Sequence, residues 1–106
     1  QTRCFGHVLD IIDAILKVDK SADLMGKPVN IGVNQEISIL ELAKKVIQLT
    51  NSRSEIVFKS YEDAYPAGFE DMERRVPNNK LLKDTTGWEP KRDIKRIIQD
   101  IADSIR

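Results

Sequence analysis

Three arginines carry the clearest chemical signal in this 106-residue sequence. Arg3 lies in a short β-compatible start, and Arg74 and Arg75 stand together in an irregular segment, Tyr61 to Pro77, broken by Pro66 and Gly68. A guanidinium is a rigid fork of N–H donors that matches phosphate oxygens, so two or three of them converging could hold a diphosphate. Carboxylates stand beside the pair: Glu70, Asp71 and Glu73 could accept hydrogen bonds from sugar hydroxyls. The competing reading is plainer. Arg74 and Arg75 pair with those same acids on a solvated face, where ion pairs contribute little. An irregular stretch of roughly 15 residues in a small domain is uncommon and often functional, which keeps the first reading in play.

Other chemistry is mostly missing. The sequence has no G-x-G-x-x-G or G-x-x-x-x-G-K loop to cradle a phosphate and no G-x-S-x-G elbow. Tyr61 and Tyr65 lack a lysine four residues on, where a helix would set one beside a catalytic phenol. His7, the one histidine, sits among apolar neighbours and reads as a packed, hydrogen-bonded side chain. Cys4 reads as a small buried hydrophobe, Asp10 as a helix-start carboxylate, Trp88 as a core anchor, and Phe69 and Met72 as loop packing. These features suit a binding domain better than a complete enzyme.

Composition bounds the rest. Seventeen Lys+Arg balance 17 Asp+Glu, so the formal net charge is zero. That argues against nucleic acid, which demands a basic excess, and against an electrostatic membrane attachment. One cysteine excludes an internal disulfide, and one cysteine with one histidine cannot supply a common four-ligand zinc site. No apolar run approaches a membrane span. The chain opens on Gln1 without a signal peptide, from which we expect a fragment of a larger cytoplasmic protein.

Periodicity supplies the elements that must position the arginines. Apolar residues at helical spacing predict helices over about 9–19 and 39–50, the second opened by a Ser38–Glu41 capping box. A short helix is expected over 78–84, capped by Asn78 or Asn79 and ended by Gly87. Asp93 caps a last helix carrying Ile94, Ile97, Ile98, Ile101 and Ile105 on one face. Residues 28–32 and 55–59 read as short strands. The expected fold is a small, helix-dominated α/β (α+β) single domain over 1–106, with a short parallel sheet of two or three strands.

At this point the residues resemble a family. Thr2-Arg3-Cys4-Phe5-Gly6-His7-Val8-Leu9-Asp10 resembles the R-x-(F/Y)-x-H-V-x-D segment of extended short-chain dehydrogenase/reductases, the NAD-dependent nucleotide-sugar epimerases, dehydratases and decarboxylases. Val29-Asn30-Ile31-Gly32, Ser38 to Ala43, Gly68 to Pro77 (G-F-E-D-M-x-R-R-V-P) and Leu82 to Pro90 (L-G-W-x-P) follow in the family's order. The resemblance implies a C-terminal, substrate-gripping region whose Rossmann domain, with its NAD loop and Tyr-x-x-x-Lys pair, is absent. It implies that Arg3 and one of Arg74 and Arg75 contact a nucleoside diphosphate, that Asp71 meets the ribose, and that Arg75 otherwise braces the loop. The chain departs from the family where many members carry Arg-Pro-Gly-Asp and this one has Gly68-Phe69-Glu70-Asp71. The expected partners are a nucleoside-diphosphate sugar and the missing domain, whose contact surface would leave an apolar patch and a tendency to self-associate. NAD is expected only in the full-length enzyme, and the isolated chain is expected to be inactive. The alternative is a stand-alone protein-interaction module using its apolar helix faces.

Overall fold

The structure, a computed structural model, describes residues 1–58 and 74–105. β1 (Thr2–Cys4) leads through Phe5-Gly6-His7 into α1 (Val8–Lys20), and a single 3-10 turn (Ala22–Leu24) follows. β2 (Glu36–Ser38) runs straight into α2 (Ile39–Thr50). After the undescribed stretch come α3 (Lys80–Thr86) and α4 (Ile94–Ile105).

Each helix starts and stops for a local reason. The Ser38 hydroxyl accepts the Glu41 N–H at 3.0 Å and opens α2, as the capping-box spacing predicts. The Asp93 carboxylate does the same for the Arg96 N–H at 2.9 Å at the start of α4. At α1 the cap is His7, whose Nδ1 accepts the Leu9 N–H at 3.1 Å. α3 begins two residues later than expected. Asn78 caps it through its side chain, which accepts the Lys80 N–H. The neighbouring Asn79 is buried and donates to the Gly32 carbonyl instead. α3 ends at Gly87, whose φ of +71° is the left-handed conformation that glycine adopts without a Cβ clash.

The α/β, helix-dominated reading holds, but the sheet differs in direction. β1 and β2 pair antiparallel, with Thr2 opposite Ser38, Arg3 opposite Ile37 and Cys4 opposite Glu36. Parallel pairing survives as one isolated bridge, Thr2 to Arg74. Residues 28–32 form no strand: Val29 and Ile31 pack against the core from an unladdered segment. Residues 55–58 form none either, and Val57 and Phe58 are exposed there. Hydrophobic β-branched composition marks both segments as extended, but composition does not supply a ladder partner.

The core gathers Ala14, Val33, Leu82 and Trp88, with Val18, Val29 and Ile31 against it. It is small. α2 packs against α4 yet buries no residue fully. The Cα radius of gyration is 16.9 Å, against about 13 Å for a compact domain of this length. α1 shows the imbalance best. Ala14 faces inward, while Val8, Leu9, Ile12, Ile15 and Leu16, at i, i+1, i+4, i+7 and i+8, are 45–64% exposed on the opposite face. A helix apolar on both faces is built to be covered on both.

Candidate functional site

Two clusters of charge stand in this fold, and they differ in what they are for. The first is buried. Asp10 projects from α1 to the segment after Trp88, where its carboxylate accepts the backbone N–H groups of Lys91 and Arg92 and the Arg92 guanidinium at 2.7 Å. Its own carbonyl accepts the Trp88 indole N–H at 2.9 Å. Burial by itself raises the Asp10 pKa, but the Arg92 N–H, the Arg92 guanidinium and the Lys91 N–H together outweigh it, and the carboxyl sits below its ordinary value. Trp88 is the expected core anchor, fully buried. His7 is the expected packed histidine: with Nδ1 accepting from Leu9, its ring proton lies on Nε2, which meets Asp100 at 2.7 Å. Both ring nitrogens are thus occupied by structure. The His7 bond, then Arg96, hold the Asp100 carboxyl below its ordinary range.

The second cluster is at the rim, where β1 meets the chain returning at Arg74. Glu36 on β2 takes a forked ion pair from Arg74, whose Nε meets Oε1 while Nη2 meets Oε2 at 2.9 Å. The Thr2 hydroxyl donates to the same Oε1 at 3.1 Å. The Arg74 hydrogen bond, ahead of the Thr2 one, lowers the Glu36 pKa. Arg75, one residue on, instead lines a groove of about 480 Å³ together with Arg3. The groove's other walls are Cys4, Phe5, Gly6, Ile11, Ile31, Gly32, Val33, Val76 and Pro77. Its floor is tight: a Cβ on Gly32 would stand 2.8 Å from the Pro77 ring. Among the described residues that line it there are two arginines and no carboxylate.

A neighbouring hollow of about 490 Å³ also carries cations, Lys45, Lys91 and Arg92. Glu36, Glu41 and Asp93 line it too, and Arg92 is committed to Asp10. Three cations and three carboxylates therefore line that hollow together.

The three expected arginines therefore divide. Arg3 and Arg75 share a groove, while Arg74 is paired with Glu36 outside it. Arg3 also donates from Nη1 to the Thr2 carbonyl at 2.7 Å. Asp71, with Glu70, Glu73, Phe69, Met72, Tyr61 and Tyr65, lies outside the described residues. Cys4 is half-buried rather than buried, and burial, followed by the Glu36 charge, pushes its thiol up against the opposing pull of Arg74. Sequence reasoning missed Glu36. Its ion pair closes 38 positions away and depends on a strand pairing that no local pattern announces. Among the described residues, β1 enters α1 through Phe5-Gly6-His7 and not through the glycine-rich turn of a dinucleotide-binding βα unit. No metal-ligating cluster occurs among the described residues.

Comparison with known proteins now bears on this geometry. The chain is 41% identical over 91 residues to UDP-N-acetyl-alpha-D-glucosaminuronate decarboxylase of Bacillus cytotoxicus, a match spanning 85% of this chain and 28% of that protein. It is 41% identical over 98 residues to dTDP-D-glucose 4,6-dehydratase of Bos taurus, spanning 86% of this chain and 25% of that one. These relatives are extended short-chain dehydrogenase/reductases, and the chain is homologous to a segment of them. The fold of this family segment agrees with a solved UDP-galactose 4-epimerase, at a TM-score of 0.78 and 21% identity, over 100% of this chain and 35% of that one. No family model matches. The chain thus spans about a quarter of the length of the curated relatives it matches.

Proposed function

We propose that this chain is the substrate-gripping, C-terminal portion of a nucleotide-sugar decarboxylase, dehydratase or epimerase, and that it holds the diphosphate of a nucleoside-diphosphate sugar between Arg3 and Arg75. The observation that carries the reading is the groove: two guanidinium-bearing residues line it with no acid among its described walls. A diphosphate bridged by two such forks gains charge-assisted hydrogen bonds from each side. The relatives, named for UDP- and dTDP-sugars, support that substrate class. Asp71 as the ribose acceptor rests on the family resemblance. Arg74, the third arginine of the expected set, braces the rim and leaves the phosphate contact to its neighbour.

NAD would be held by a cofactor-binding domain outside this chain, and when bound it supplies the hydride acceptor. This chain contributes placement: fixing the diphosphate sets where the sugar ring lies, which is the entropic part of catalysis. The bare α1 face is the surface such a domain would cover, and cytoplasmic residence is part of the same proposal. Among the described residues, no helix is long and apolar enough to cross a membrane.

Calorimetric titration of the chain with UDP and with dTDP tests the reading. Binding that Arg3→Ala and Arg75→Ala each weaken at least about tenfold is expected. Unchanged affinity in both variants would exclude the groove as the diphosphate site.

A further inference from the structure

Arg74 and Arg75 are consecutive, yet one is paired on the rim and the other lines the groove. The parallel bridge of Thr2 with Arg74 explains the division. Bridge partners project to the same side of a sheet, and successive residues alternate. Thr2 and Arg74 therefore share one side and Arg3 takes the other, while Arg75, just past the bridge, reaches the groove that Arg3 lines. The first pair meets at Glu36, which binds the Arg74 fork with both carboxylate oxygens and takes the Thr2 hydroxyl besides. Arg3 and Arg75 meet at the groove.

We infer that Glu36 is a positioning residue: by clamping Arg74 to the Thr2 side of the rim, it fixes Arg75 to project beside Arg3 and so completes the anion-binding pair. The inference rests on the groove reading above and adds a residue to it that touches no phosphate. The clamp acts on orientation more than on stability. The Arg74 side chain is 71% exposed, and exposed ion pairs contribute little to folding. Orientation needs only that one rotation of the chain at residues 74–75 be preferred over the other, and a forked pair is directional where a single contact is not.

The two roles open to Glu36 predict opposite signs. If Glu36 merely neutralised Arg74, then Glu36→Gln would leave a net positive rim and bind an anion more tightly. If it positions Arg75, the same change binds the anion more weakly.

The test is UDP and dTDP titration of the chain carrying Glu36→Gln, Arg74→Gln, the exchange Glu36→Arg with Arg74→Glu, and Arg75→Ala as reference. Positioning predicts Kd raised about fivefold in Glu36→Gln and in Arg74→Gln, part of what a charged hydrogen bond contributes. It predicts recovery to within about twofold in the exchange, which restores the clamp with its ends reversed. The melting temperature stays within about 4 °C of the parent throughout. Unchanged or tighter binding in Glu36→Gln, with Arg75→Ala weakened, overturns the positioning role and leaves the groove reading standing. No weakening in Arg75→Ala, or no binding by the parent chain, overturns the groove reading and the inference with it.

Discussion

The Asp10 hub and the Arg74 rim use the same two side-chain types in opposite ways. At the hub a carboxylate is almost wholly buried and satisfied by two backbone N–H groups and a guanidinium. At the rim a carboxylate and a guanidinium meet in water, beside a groove that Arg3 and Arg75 both line. Removing a partner from a buried pair leaves a charge stranded, whereas removing one from an exposed pair leaves it hydrated. Charge at the hub therefore specifies the fold, whereas charge at the rim can change with little cost to folding.

The comparison breaks most readily at its core. Trp88→Ala opens a cavity beneath Ala14 and Leu82 and removes the indole bond to Asp10, so we expect a loss of about 3–5 kcal/mol, read by urea denaturation. Loss of less than about 1 kcal/mol would mean that the hub does not organise the core. Asp10→Ala strands Arg92 and two backbone donors. Because Arg92 is 28% exposed, the expected cost is at the low end for a buried pair, about 3 kcal/mol.

Acid should read the same hub. Asp10 and Asp100 both titrate lower in the folded chain than in the unfolded one, where a carboxyl has a pKa of about 3.9. The unfolded state then binds more protons between the two values. The stability they contribute is whole above the unfolded value and is lost as pH falls through it toward the lower folded value. Urea midpoints measured from pH 7 to pH 3 should fall in the parent and fall less steeply in Asp10→Asn; parallel profiles would remove Asp10 from the account.

Smaller effects belong to the groove and the open helix face. Gly32→Ala drives a Cβ into Pro77 at the groove floor and should cost about 1–2 kcal/mol while also weakening UDP binding. An unaltered melting curve would mean that the floor yields. Ile12→Lys on the bare face of α1 should leave the melting temperature nearly unchanged and reduce self-association in analytical ultracentrifugation. Marked destabilisation instead would show that this face is already packed.

Local signals were legible wherever the determinant was local. The Ser38 cap, the Asp93 cap, the Gly87 stop and the Ile97–Ile98 face of α4 all follow from spacing within one helix. His7 and Trp88 were readable as structural residues from their neighbours. The direction of the sheet was not, because pairing Thr2–Cys4 with Glu36–Ser38 depends on where the intervening helix returns the chain. The placement of the candidate arginines was legible only in part. Composition marked three candidates, but only the Thr2–Arg74 bridge divides Arg74 from Arg75, and only the pairing brings in Glu36.

The hub also imposes an order of events on synthesis. Its bonds join positions 78 to 82 residues apart, and His7 reaches 93 residues forward to Asp100. A nascent chain released up to residue 87 holds α1, α2 and α3 but lacks the indole and both backbone donors that Asp10 requires. Until residues 88–92 are made, α1 waits with an unmatched buried-type carboxylate on one side and bare isoleucines on the other. That interval is when such a chain is most exposed to chaperones, to proteases and to its own copies.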